Sequence, residues 1–116
     1  MQRELLKSKI HRATITDFSV DYEGSITIDE ELMAAADLVE YEKVLVADVN
    51  NGSRFETYVI KGAAGSGDIC VNGAAAHLVN KGDLVIIMSF VTLDDSELAA
   101  FKTKKIKVDS QNRRTN

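Results

Sequence analysis

A six-residue pattern occurs twice in this chain, forty residues apart. Ala34-Ala35-Ala36-Asp37-Leu38-Val39 leads into Val44-Leu45-Val46, and Ala74-Ala75-Ala76-His77-Leu78-Val79 leads into Leu84-Val85-Ile86. Each copy reads as a small helical turn, a leucine-valine pair, a polar turn and a buried strand. Two such halves suggest a pseudo-twofold β-barrel, because a sheet closed on itself has no exposed edge.

The remaining segments fit a mainly β chain. Residues 5–16 read as a strand with Lys7, Lys9 and His11 on one face together with Leu5, Ala13 and Ile15. That basic face is either an edge protected against further pairing or part of a site. Residues 17–23 have turn and loop character, Ile26-Thr27-Ile28 is a short strand, and Asp29 is placed to cap a helix with Glu30 and Glu31 in its first turn. Residues 43–49 and 55–60 form a hairpin through Asn50-Asn51-Gly52-Ser53. Residues 61–67 are a connection without phosphate-loop spacing, 68–71 a short strand, 72–77 a turn into one helical turn, and 84–92 a buried strand. Asp94 and Glu97 have capping-box spacing for a last helix to about Phe101. Residues 104–108 can close the sheet, and 110–116 are expected to form a disordered tail.

With 116 residues, no proline and 45% hydrophobic residues, one barrel domain with its own core is expected. A net charge of −4, and no basic block before the C-terminal end, argue against a nucleic-acid partner. The longest strongly apolar run, residues 84–88, is far short of the roughly 20 residues that span a bilayer. Neither a membrane partner nor a secretory signal is expected, since Met1-Gln2-Arg3-Glu4 precedes no long apolar stretch. Cys70 is the only cysteine, which excludes an intrachain disulfide and suits the cytoplasm. His11, His77 and Cys70 lack ligand spacing, so no metal is expected.

Chemistry enters at Tyr22-Glu23-Gly24-Ser25. A serine hydroxyl can attack the preceding carbonyl and shift the acyl group from nitrogen to oxygen. Elimination of the resulting ester and hydrolysis of the dehydroalanine leave a pyruvoyl group on the new chain end. Glycine before the serine permits a close approach to its carbonyl. Gly-Ser also occurs at Gly52-Ser53 and Gly65-Ser66, where a turn is the natural reading.

Several blocks in the same order carry a resemblance: residues 9–12, Tyr22-Glu23-Gly24-Ser25, residues 51–58, residues 71–77 and Gly82-Asp83-Leu84-Val85-Ile86-Ile87. Together they resemble the bacterial aspartate 1-decarboxylase family, over residues 9 to about 92. The resemblance implies a double-psi β-barrel with short helices, cleavage into chains 1–24 and 25–116, and a pyruvoyl cofactor derived from Ser25. It also implies a homotetramer with sites between neighbouring subunits, a Schiff base between Ser25-derived pyruvoyl and L-aspartate, and release of β-alanine for pantothenate synthesis. A maturation factor is a possible further partner.

By the same resemblance, Arg54 and Lys9 bind substrate carboxylate, and Tyr58 is the proton donor. Thr57 and Asn72 donate to the Gly24 carbonyl or to substrate, while Gly73, Ala74 and Ala75 line an oxyanion or carboxylate site. His11 and Tyr22 support the pocket. Each also has a plainer reading: Arg54 as a solvated hairpin residue, His11 as a hydrogen-bonded strand residue, Tyr58 as a packed ring. Ala47 departs from the bulky aromatic of well-known relatives. Two other functions fit the same residues, a ligand-binding barrel that never matures and a pyruvoyl decarboxylase for another amino acid.

Overall fold

Eight strands in one mixed sheet make up most of the computed structural model, which describes residues 1–116. In chain order they are β1 (Gln2–Thr14), β2 (Asp17–Ser19), β3 (Ser25–Asp29), β4 (Lys43–Asp48), β5 (Arg54–Gly62), β6 (Ile69–Asn72), β7 (Leu84–Asp94) and β8 (Lys104–Lys107). Helix α1 spans Glu30–Ala35, and Gly73–Leu78 and Asp95–Glu97 are 3-10 turns. The spatial order is β2-β6-β3-β5-β4-β7-β1-β8. β1 lies beside β7 near one end of this order, and β2, only two residues further along the chain, lies beside β6 at the other. Thr16 N–H donates to the Ile69 carbonyl at 2.9 Å between them. One continuous segment therefore joins both ends and closes the sheet on itself.

The interior is built from alternating β-branched residues, which suit a pleated surface with one buried face. Ile10, Ile15, Ile26, Ile28, Val46, Val59, Ile69, Val71, Val85 and Ile87 are all within 1% of complete burial. Ile26 lies opposite Val71, and Ile28 opposite Ile69, across the antiparallel β3–β6 pair. The alternate residues of that pair, Ser25, Thr27, Cys70 and Asn72, fall on the other face.

The two repeat copies occupy equivalent places, each a short helix leading to a central strand, α1 before β4 and Gly73–Leu78 before β7. The hairpin is also as read: β4 and β5 are antiparallel, Gly52 has φ +76°, and Asp48 Oδ1 accepts from the Asn50 and Asn51 N–H groups.

Four expectations need correction. In β1 the register shifts between Ile10 and Ala13, where Arg12 has φ 61°. This bulge reverses the alternation, so Ala13 and Ile15 join Ile10 in the core and Lys9 and His11 stay on the outer face. Residues 17–19 are not merely a loop but pair in parallel with β6. The tail expected to be disordered is docked: Asn112 is 2% exposed, accepts from Thr14 N–H, and donates to the Thr14 and Gly67 carbonyls. A buried amide with all three of these bonds satisfied is a strong anchor for a short segment. The last helix is only the turn Asp95–Glu97, although its capping box is present. No helix is long and apolar enough to cross a membrane.

Candidate active site

Ser25 begins β3 directly opposite Asn72, and Thr27 lies opposite Cys70. Because side chains repeat every two residues along a strand, these four share one face as a compact polar quartet. Ser25 is fully buried. Its hydroxyl donates to the Glu23 carbonyl at 3.2 Å and accepts from Asn72 Nδ2 at 2.9 Å. The same amide nitrogen donates to Thr27 Oγ1 at 3.2 Å, and the Cys70 thiol donates to Asn72 Oδ1 at 3.2 Å. Asn72 Nδ2 is thus engaged by the Ser25 and Thr27 hydroxyls here, and makes no bond to the Gly24 carbonyl. Burial, reinforced by the Asp17 and Asp68 carboxylates, pushes the Cys70 thiol above its ordinary pKa and keeps it a donor.

Gly73 closes the other side. Its φ is +78°, and a Cβ there would lie 2.5 Å from Gly24 Cα, 2.7 Å from Gly24 N and 3.2 Å from the Tyr22 carbonyl. Only glycine combines that dihedral with so close an approach. At Gly24 itself a Cβ would meet nothing within 4 Å. The steric need for glycine beside the Gly24–Ser25 bond therefore falls on Gly73, across the fold, and not on Gly24.

β5 forms the third wall. It runs parallel to β3 with Ile26 opposite Val59, and continuing that register back aligns Ser25 with Tyr58 and Gly24 with Thr57. Tyr58 and Thr57 also line a shallow cavity of about 310 Å³ with Lys43 and Glu56, which form an ion pair at 2.6 Å. Tyr58 packs against Tyr41 with ring centroids 6.0 Å apart. Arg54 is exposed at the start of β5, opposite Ala47, with neither a hydrogen bond nor an ion pair. Tyr22 is exposed, and only its backbone carbonyl approaches Gly73. Ala74 and Ala75 follow Gly73 in the first 3-10 turn, where helix geometry leaves N–H groups without intrahelical partners.

A family model described as aspartate decarboxylase matches residues 1–115. The chain belongs to the aspartate decarboxylase family. It is 62% identical over 112 residues to a protein named aspartate 1-decarboxylase from Syntrophus aciditrophicus, covering 97% of both chains. Against the protein of the same name from Thermoanaerobacter pseudethanolicus it is 53% identical over 116 residues, covering 100% of this chain and 99% of the relative. Among solved structures, the crystal structure of the rationally designed mkDPBB_sym_86 protein matches 66% of this chain and 90% of its own, with TM-score 0.51 and 15% identity. That likeness shows the fold, a double-psi β-barrel, as the family resemblance implied.

Two residues to which the aspartate decarboxylase resemblance gives site roles lie elsewhere in this chain. Lys9 and His11 are on β1, separated from β3 in the sheet order by β5, β4 and β7, and share neither a hydrogen bond nor a cavity with Ser25. His11 instead lines a cavity of about 410 Å³ with Arg12, Thr14 and Lys107. Its Nδ1 is buried without a partner, and burial, followed by the charges of Lys9, Arg12 and Lys107, holds its pKa below the ordinary value. Lys7, on the same strand, is engaged by Glu42 at 2.7 Å and by the Asp37 carbonyl at 2.6 Å. Conversely, Thr27 and Cys70 join the quartet although neither belongs to a motif block. The available signal was their two-residue spacing from Ser25 and Asn72.

Proposed function

We infer that this protein removes the α-carboxyl group of L-aspartate as carbon dioxide and releases β-alanine, supplying pantothenate synthesis in the cytoplasm. The observation that carries the reading is the buried Ser25 hydroxyl, held by Asn72 with Gly73 packed closely against Gly24, in a chain of this family.

Maturation begins at that bond. Ser25 Oγ attacks the Gly24 carbonyl carbon, the hydroxyl proton passes to the Ser25 nitrogen, and the C–N bond breaks to give an ester and a free amine at residue 25. Loss of the Ser25 α-proton expels the Gly24 carboxylate, and water converts the dehydroalanine to a pyruvoyl group with release of ammonia. The products are chains 1–24 and 25–116. Asn72 Nδ2 aimed at Oγ suits this step, because a donated hydrogen bond stabilises the oxygen as it gives up its proton.

The residues around position 25 fit a pyruvoyl group there: once Oγ has left with the Gly24 carboxylate, Asn72 Nδ2, which held it, would be free to donate to the new carbonyl or to substrate. That group supplies an electrophilic carbonyl and an electron sink for the decarboxylation. Arg54 and Lys9 hold mainly the retained β-carboxylate, because full charges on the departing carboxylate would stabilise the ground state more than the transition state. Gly73, Ala74 and Ala75 offer small side chains and backbone N–H groups to the substrate, and Thr57 adds a hydroxyl. Tyr58, aligned with residue 25, protonates the carbon left after carbon dioxide departs. His11 and Tyr22 support the pocket. Lys9 and His11 lie away from Ser25 in their own chain, which supports a site completed by a neighbouring copy, and the family resemblance implies that the assembly is a homotetramer.

The test is denaturing mass spectrometry of purified protein together with a panel of amino acids. Two fragments split after Gly24, and β-alanine from aspartate, are expected. An intact chain defeats the maturation pathway. Cleavage with turnover of another amino acid alone replaces aspartate as substrate.

A further inference from the structure

We propose that Cys70 is a positioning residue for maturation: its thiol fixes the orientation of the Asn72 side-chain amide so that the amino group, and not the carbonyl, faces the Ser25 hydroxyl. The proposal rests on the Gly24–Ser25 cleavage inferred above.

The geometry leaves few alternatives for what sets this orientation. Asn72 has three polar neighbours on its face of the β3–β6 pair: Ser25 Oγ at 2.9 Å, Thr27 Oγ1 at 3.2 Å and Cys70 Sγ at 3.2 Å. The Thr27 hydroxyl accepts as readily as it donates and tolerates either orientation of the amide, whereas Ser25, whose proton goes to the Glu23 carbonyl, takes the amino group as donor. A thiol is a weak donor and a poorer acceptor, and only the observed orientation presents Oδ1 to it. Cys70 is therefore the neighbour that holds this orientation from the Oδ1 side and so keeps the amino group on Ser25. Its protonated state is favoured by burial and by the nearby carboxylates of Asp17 and Asp68, so the donor is retained.

Orientation matters because the two ends of the amide act oppositely on Ser25. An Nδ2 donor to Oγ stabilises negative charge as the hydroxyl loses its proton and leaves Oγ free to share another lone pair with the Gly24 carbonyl carbon. A turned amide would place Oδ1 against the hydroxyl, accept its proton in a hydrogen bond, and offer nothing to the developing charge. Asn72 is 4% exposed and sits at the end of β6, so water is poorly placed to substitute for the lost partner.

Purified uncleaved precursor of each variant should be followed by denaturing mass spectrometry, with melting temperature measured in parallel. Cys70→Ser retains a donor and should cleave within about twofold of the parent, whereas Cys70→Ala should cleave about three- to tenfold more slowly with a similar melting temperature. Cys70→Thr and Cys70→Val form a second pair of nearly equal shape, both favourable in a strand, and the first should again be the faster. Rescue by the hydroxyl variants is the signature that packing alone does not produce. Equal cleavage rates within both pairs overturn the role of Cys70 while leaving the maturation reading intact. A parent chain that never splits after Gly24 overturns both.

Discussion

Asp29 and Asn72 stand at matching places in the two halves of the barrel, each the last residue of a strand and the first flank of a short helix. Asp29 uses its side chain as a structural hub. Oδ1 accepts from the Glu31 and Gly65 N–H groups, Oδ2 accepts from Gly67 N–H, and a regular α-helix follows. Asn72 makes no such capping bond; its amide turns to Ser25 and Thr27, and the helix after it is 3-10. The residue after Asn72 is a glycine with positive φ pressed on Gly24, while the residue after Asp29 is an ordinary helical glutamate. One half keeps its cap for folding. The other turns its cap residue to the Ser25 hydroxyl on the neighbouring strand.

The contrast is broken most completely at Ser25. Ser25→Ala should abolish both cleavage and β-alanine formation, while Ser53→Ala and Ser66→Ala still split after Gly24. Fragments from Ser25→Ala, seen by mass, would remove the basis for linking the Asn72 side chain to maturation.

Tyr58→Phe sharpens the distinction between maturation and turnover. It keeps the ring packed on Tyr41 but removes the phenolic proton, so cleavage should persist and β-alanine formation should fall by about 10²- to 10⁴-fold. The assay requires protein shown by mass to be cleaved. Parent-level turnover would assign the proton to another group.

Two glycine substitutions compare the halves directly. Gly73→Ala combines positive φ with a backbone clash and should destabilise by about 2–5 kcal/mol and slow cleavage. Gly65→Ala has similar φ, but its Cβ would meet only the Glu31 carboxylate at 3.8 Å. It should cost about 1–2 kcal/mol by chemical denaturation and leave cleavage unchanged.

The caps themselves should separate stability from rate. Asp29→Asn should lower stability by about 1–2 kcal/mol without slowing cleavage, whereas Asn72→Ala should slow cleavage with the smaller loss of stability. The Asp29 effect should also depend on pH. Burial alone would raise the Asp29 pKa, but the Gly67, Glu31 and Gly65 N–H groups with Arg113 outweigh it and hold the carboxyl below its ordinary value. A depressed folded-state pKa stabilises the protein above the ordinary carboxylate range, and that stabilisation is lost as pH falls through the folded-state value. The gap in melting temperature between parent and Asp29→Asn should therefore be widest near neutrality and shrink in acid. A gap independent of pH would show that the charge of Asp29 contributes nothing.

Local order along the chain was enough to determine the repeat, the Asn51-Gly52 hairpin, the Asp29 cap, and the capping box of Asp94 and Glu97. Each depends on residues a few positions apart, whose geometry is set by backbone dihedrals and nearest-neighbour hydrogen bonds. The tertiary structure decided what depended on distant partners. Two-residue periodicity assigned Ala13 and Ile15 to the face of Lys9 only because it cannot register the bulge at Arg12, which reverses every side chain beyond it. A polar tail looks disordered until Asn112 finds Thr14 and Gly67, and residues 17–19 look like a loop until β6 supplies their partners. The roles of Gly73 and Cys70 are likewise invisible in one dimension. Gly73 is special because Gly24 lies against it, and the thiol orients an amide only because β3 and β6 bring Ser25 and Asn72 face to face.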